Sequence, residues 1–260
     1  FKKEAKNKMH SANLRLKNIL IDSIFMFKSS FNNFYFFGDR KEAKNLINQY
    51  SYIFPKKFSF DYKNKHLYAD QIRGATLERE KKIFKPVVIN NIFSDKIIND
   101  KLSNKKFVTI TLRESSYNKK KNSNLKEWIN FTKYLLKKNL KIIVIRDIER
   151  ILNNDFFRKF ETFPYASFDL NFRVGLYKKS ICNLFTTNGP QQITNFNNLY
   201  SISFKEGSKY QNNYKKLVGI EENLKSKILT KKQLYVFDED NFENIRLNFE
   251  GFLKKNKIKL

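Results

Sequence analysis

Residues 140–147 read LKIIVIRD. Apart from Lys141 the run is apolar from Leu140 to Ile145, and it stops abruptly at Arg146 and Asp147. A strand with one wet face alternates apolar and polar residues. A strand without alternation needs cover on both faces, as in parallel sheets sandwiched between helices. The segment before it, SNLKEWINFTKYLLKKN (123–139), carries Leu125, Trp128, Ile129, Phe131, Tyr134 and Leu135 at mostly helical spacing, with Ser123 or Asn124 as cap. Before that, KKFVTITLRES (105–115) is a β-branched strand ending in charge. Strand, helix, strand is the start of a parallel sheet.

The alternation continues toward the carboxyl terminus. Residues 169–180 read as helix, 181–187 (ICNLFTT) as strand, 189–196 as helix and 199–204 (LYSISF) as strand. A helix is expected at 222–229 and an extended segment at 233–237. A last helix is expected over 238–256, with acids in its first turn and lysines in its last. The pattern predicts an α/β fold with Rossmann-type, mostly parallel sheets and flanking helices. Upstream, helices are expected at 3–28, 39–50 (Asp39 as cap) and 73–84, and a buried strand at FYFFG (34–38). Residues 51–68 read as loop with a short strand, and 86–90 as extended. The domain boundary is expected near 92–104, dividing the chain into 1–100 and 101–260. The first residue is Phe rather than Met, and an upstream segment is expected.

Composition narrows the functional classes. The 260 residues include 52 lysines and arginines against 25 acids, a formal net charge of +27. Lysine far outnumbers arginine, the lysines are scattered, and the abundance of Lys, Asn, Ile and Phe matches A/T-rich coding. A solvated basic surface is expected rather than a nucleic-acid face, and an anionic membrane surface remains compatible with the charge. No apolar run reaches the roughly 20 residues of a membrane span. Cys182 is the one cysteine and reads as a buried strand thiol; His10 and His66 lie far apart, which leaves no zinc-ligand spacing. There is no G-x-G-x-x-G, P-loop or G-x-S-x-G motif. No metal site is expected.

In open parallel sheets, ligands bind beyond the carboxyl ends of the strands. Three strand ends deliver polar residues there: Arg113 and Glu114; Arg146 and Asp147; and Thr186, Thr187, Asn188 and Gly189. The arginine fork of Arg113 suits a phosphate. Gly189 allows close backbone approach, and Pro190 fits the first turn of a helix. Each element alone also reads as an ordinary salt bridge or turn.

The succession VTITLRES, NSNLKEWINFTKYL, LKIIVIRD and LNFRVGLYKKSICNLFTTNGPQQI resembles the nucleotide-sugar-binding half of bacterial glycosyltransferases of the GT-B architecture. It most resembles those of surface-polysaccharide synthesis, with a looser likeness to the fucosyltransferase-type clan. The likeness covers about residues 105–205. It implies that Arg113 meets the donor diphosphate, that Asn188 and Gly189 form the turn at the donor site, and that Asn122 and Asn124 belong to the polar loop before a helix. Arg113 is followed by Glu114 where the fucosyltransferase-type pattern has two basic residues, which argues against a guanosine-diphosphate-fucose donor. Residues 1–100 would be part of the acceptor-side domain. On this reading Arg113 and Glu114 are the catalytic candidates. Arg146, Asp147, Arg173 and Thr187 join the donor-binding set, although Arg173 equally reads as an ion-pair partner and Asp147 as a helix cap. The implied reactants are a nucleotide-sugar donor, with no cofactor, and a glycan or lipid-linked acceptor. The implied place of work is the cytoplasm, peripheral at the inner face of the membrane. The contrasting reading is a basic module that binds nucleic acid or a membrane surface without catalysis, and a third is a catalytically silent relic.

Overall fold

A computed structural model describes residues 35, 37, 39–52, 92–102, 105–115, 119–205 and 229–260. Its centre is one five-stranded, wholly parallel sheet: β1 (Phe107–Thr111), β2 (Lys141–Ile145), β3 (Cys182–Thr186), β4 (Ser201–Phe204) and β5 (Gln233–Tyr235). The spatial order is β2-β1-β3-β4-β5. Thr111 stands beside Ile145 of β2 and Phe185 of β3. β1 therefore has one neighbour drawn from each direction of winding, and the winding reverses between β1 and β3. That order makes the fold Rossmann-like.

Both faces of the sheet are covered, as the unbroken apolar run predicts. One layer consists of α3 (Leu125–Lys137) and α6 (Phe242–Lys255). Trp128, Phe131, Leu135, Ile245, Phe249 and Phe252 pack there on Val108, Ile110, Val144, Leu184 and Ile202. The opposite layer holds α2 (Ile92–Leu102) and α4 (Leu170–Lys179), whose Ile98, Leu102, Phe172, Leu176 and Tyr177 cover Phe107, Ile143, Ile145 and Phe185. Short α5 (Gln191–Phe196) adds Ile193 to that side. α4 is squeezed between sheet and α2, so Phe172, Arg173, Val174, Leu176 and Tyr177 are all buried. Gly175 is the contact: a Cβ there would meet Ile98 Cδ1 at 3.4 Å.

The helix ends follow local chemistry. Asp39 caps α1 (Arg40–Ile47) and Asp169 caps α4, each accepting from an amide three residues on. α3, α5 and α6 stop at Asn139, Asn198 and Lys257, all left-handed, with φ of 57°, 52° and 55°. In each case the next amide turns back to the last helical turn: Leu140 to Leu135, Leu199 to Thr194 and Ile258 to Leu253.

Three expectations change. Tyr35 and Phe37, the described residues of FYFFG, lie in no strand and are 55% and 39% exposed. The expected division at residue 100 falls inside α2, which contributes Ile98 and Leu102 to the sheet's core. The final helix starts at Phe242 rather than at 238, because Asn241 accepts from the Asn244 amide and sets the first turn. The expected elements at 3–28, 73–84 and 86–90, and nearly all of 51–68 and 222–229, lie outside the described residues. Among the described residues no helix is long and apolar enough to cross a membrane.

Candidate functional site

The carboxyl ends of β1, β2 and β3 meet at one rim. Arg113 stands two residues past β1, at the reversal point, and its Nη1 donates to the Thr187 carbonyl just past β3 at 2.7 Å. It thus spans the crevice where this class of sheet receives ligands. Its Nε is buried and has no hydrogen-bond partner. Burial lowers the guanidinium's pKa below its ordinary value, and the charge of Asp147 opposes that shift. A cation held half out of water with an open donor has much to gain from an anion.

The loop after β1 is stitched to its own return. Arg113 N–H donates to Ser123 Oγ at 2.8 Å and the Ser123 amide donates to the Arg113 carbonyl at 2.8 Å. The Asn122 side chain bridges both backbone groups of Ser115, at 3.0 and 2.9 Å. Asp147 accepts the Glu114 amide at 2.7 Å and so ties the end of β1 to the end of β2. It makes no side-chain cap bond to the short turn that follows it.

Arg146 is the hub of a buried ion cluster. Its Nε and Nη2 both go to the Glu114 carboxylate. Its Nη1 holds Asp155 through both oxygens at 2.8 Å, with Glu161 at 3.5 Å. Its side chain is 1% exposed. Burial works against the charge, but the hydrogen bonds and charges of Glu114 and Asp155 outweigh it and raise the pKa. Every nitrogen of Arg146 and both oxygens of Glu114 are already engaged in this cluster, so the two residues serve to frame the rim.

Beside this cluster opens a cavity of about 340 Å³, lined among others by Arg113, Asn122, Leu125, Arg150, Asn153 and Asp155. Its positively charged side chains without a buried carboxylate clamp are Arg113 and the exposed Arg150.

A second hub braces the loop from behind. Asp240, 1% exposed, accepts from the Asn124 amide and the Trp128 indole, both at 2.8 Å, and from the Thr186 hydroxyl at 3.2 Å. Lys205 reaches Asp240 at 2.9 Å and the Asn122 carbonyl at 2.9 Å. Asn124 therefore starts α3 through its backbone and makes no side-chain cap bond.

The turn at Thr187–Gly189 is built differently from its sequence reading. The Asn188 amide donates to Gln191 Oε1 at 3.0 Å, and the Gln191 amide donates back to Asn188 Oδ1 at 3.2 Å. This reciprocal pair is a capping box, legible in the spacing Asn188-x-x-Gln191. It takes the Asn188 amide out of reach of an anion. The Thr187 hydroxyl is likewise engaged, at 2.7 Å from the Phe204 carbonyl. Gly189 faces open space and has an ordinary φ.

The structure thus gathers Arg113, Glu114, Asn122, Asn124, Arg146, Asp147, Thr187, Asn188 and Gly189 on one rim. It does not bring in Arg173, which is buried on α4 and donates to the Ala166 carbonyl. The sequence reading missed Arg150, Asp155, Glu161, Lys205 and Asp240. Asp155 and Glu161 lie in an irregular stretch with no period to flag them. Asp240 was counted among the first-turn acids of the last helix.

No family model matches the chain, and searches of curated proteins and of solved structures likewise found no match.

Proposed function

We propose that the chain is a GT-B-type glycosyltransferase that moves a sugar from a nucleotide diphosphate donor to a glycan or lipid-linked acceptor. The observation that carries this reading is Arg113: a half-buried guanidinium at the reversal point of a parallel sheet, with one arm on Thr187 and a buried Nε without a partner. There it faces the leaving diphosphate, whose growing negative charge it stabilises. Arg150, across the same cavity, adds a second, adjustable positive charge. Glu114 and Arg146 act as the frame that fixes the ends of β1 and β2. The enzyme works at the inner, cytoplasmic face of a membrane.

The test is a thermal-shift and calorimetric screen with UDP, GDP, CDP and dTDP. At least one is expected to stabilise the protein, and Arg113→Ala to weaken its binding about ten- to a hundredfold without lowering the unliganded Tm by more than a few degrees. Stabilisation by none of the four would sink the reading. Tight, salt-sensitive binding of oligonucleotides instead would favour a non-catalytic basic module.

A further inference from the structure

At the opposite edge of the sheet, where β1 and β2 begin, lies a larger cleft of about 780 Å³. Five lysines line it, Lys105, Lys106, Lys138, Lys141 and Lys159, and no acid or arginine does. Lys138 has a distant partner in Glu250 at 3.9 Å. Lys106 donates to the Lys259 carbonyl at 3.2 Å, and Lys159 lies over the rings of Phe156 and Phe160. These contacts are made by the ammonium groups, and only Glu250 sets an opposite charge near one of them. Between the lysines lie Asn139, Thr162 and an apolar set: Leu136 and Leu260 are 43% and 44% exposed, and Leu140 and Phe160 form the floor.

We infer that this cleft docks the protein on a membrane rich in anionic phospholipid, with the lysines on lipid phosphates and Leu136 among the acyl chains. The inference deepens the membrane-face location proposed above, and it rests on the cleft rather than on Arg113. Lysine is a point charge on a flexible apolar stem, which suits a fluid array of phosphates and lets leucine enter beside it. Nucleic acid fits less well, since no arginine is present to fork a phosphate and the one lining ring, Phe160, is buried under Lys159 rather than open for base stacking.

The experiment is co-sedimentation of the full chain with phosphatidylcholine vesicles and with mixed phosphatidylcholine–phosphatidylglycerol vesicles. Because the whole chain is basic, two triple variants are compared: K105Q/K141Q/K159Q in the cleft, and K96Q/K126Q/K231Q at exposed sites elsewhere. Binding to the mixed vesicles is expected to fall about a hundredfold in the first, roughly a factor of five for each lysine, and far less in the second. Leu136→Asn is expected to weaken vesicle binding without changing competition by inorganic phosphate. Circular dichroism verifies that each variant is folded. Equal losses in the two triple variants would mean that net charge acts without the cleft, and would overturn the inference. So would oligonucleotide binding at physiological salt that is lost only in the cleft variant, which would make the occupant nucleic acid.

Discussion

The two rim arginines divide labour, and the division can be measured. Arg146 is buried among three carboxylates, and its removal leaves Glu114 and Glu161 charged and nearly dry. Arg146→Met should cost about 3–5 kcal/mol of stability, read from urea midpoints. Arg113→Ala removes a bond to one carbonyl and an unpartnered nitrogen. It should cost no more than about 1 kcal/mol while weakening nucleotide binding about ten- to a hundredfold. Gly189→Ala is a finer probe: no atom lies where the Cβ would go and the backbone is unstrained, so the fold should be indifferent. A loss of nucleotide affinity in that variant would place a phosphate against the Gly189 amide; unchanged affinity would make the turn purely structural. Burial raises the pKa of both Cys182 and Tyr177. Both are acids kept neutral in the folded chain, so their contribution is complete below their unfolded pKa values and is lost as pH rises past them. Stability should therefore fall above about pH 8.5 and again above about pH 10, and Cys182→Ala should remove the first of these declines.

At the scale of elements, the tightest seam is between α2 and α4. Gly175→Ala gains helix propensity and meets Ile98 at a tolerable 3.4 Å, so it should stabilise by up to about 1 kcal/mol. Gly175→Leu drives the helices apart and should cost about 1–3 kcal/mol. The start of α3 hangs on Asp240. Asp240→Ala strands the Asn124 amide and the Trp128 indole and takes one partner from Lys205, and should cost about 2–4 kcal/mol. Trp128 is the chain's one tryptophan, so its fluorescence reports that loss directly. These elements were legible to different degrees. α3, β2 and β3 announced themselves because a helix stripe and a two-faced strand each leave a periodic mark. α2 left none: IFSDKIINDKL spreads its apolar residues too evenly to show a stripe, and only its partner α4 reveals which side is inner.

On the scale of the whole molecule, topology was more legible than chemistry. Alternating strands and helices predict a parallel sheet and put Arg113, Arg146 and Thr187 on its carboxyl edge, since every strand must end there. They do not say which charges remain free. That is decided by contacts between residues far apart in sequence, as when Glu161 and Asp155 meet Arg146, or Asp240 meets Trp128. The sheet also sets the lysine cleft and the Arg113 rim apart by the length of a strand, five residues or about 17 Å.

The order β2-β1-β3-β4-β5 has a further effect while the chain is being made. After β2 ends at Ile145, the ribosome must add about 40 residues before β3 is complete at Thr186. At about 5–20 residues per second this takes roughly 2–8 s. Through that interval β1 offers a bare hydrogen-bonding edge, which finds its native partner only with β3. A nascent chain halted before Cys182 should therefore be captured by chaperones or aggregate. One halted beyond Phe204, with β1 enclosed on both sides, should do so much less.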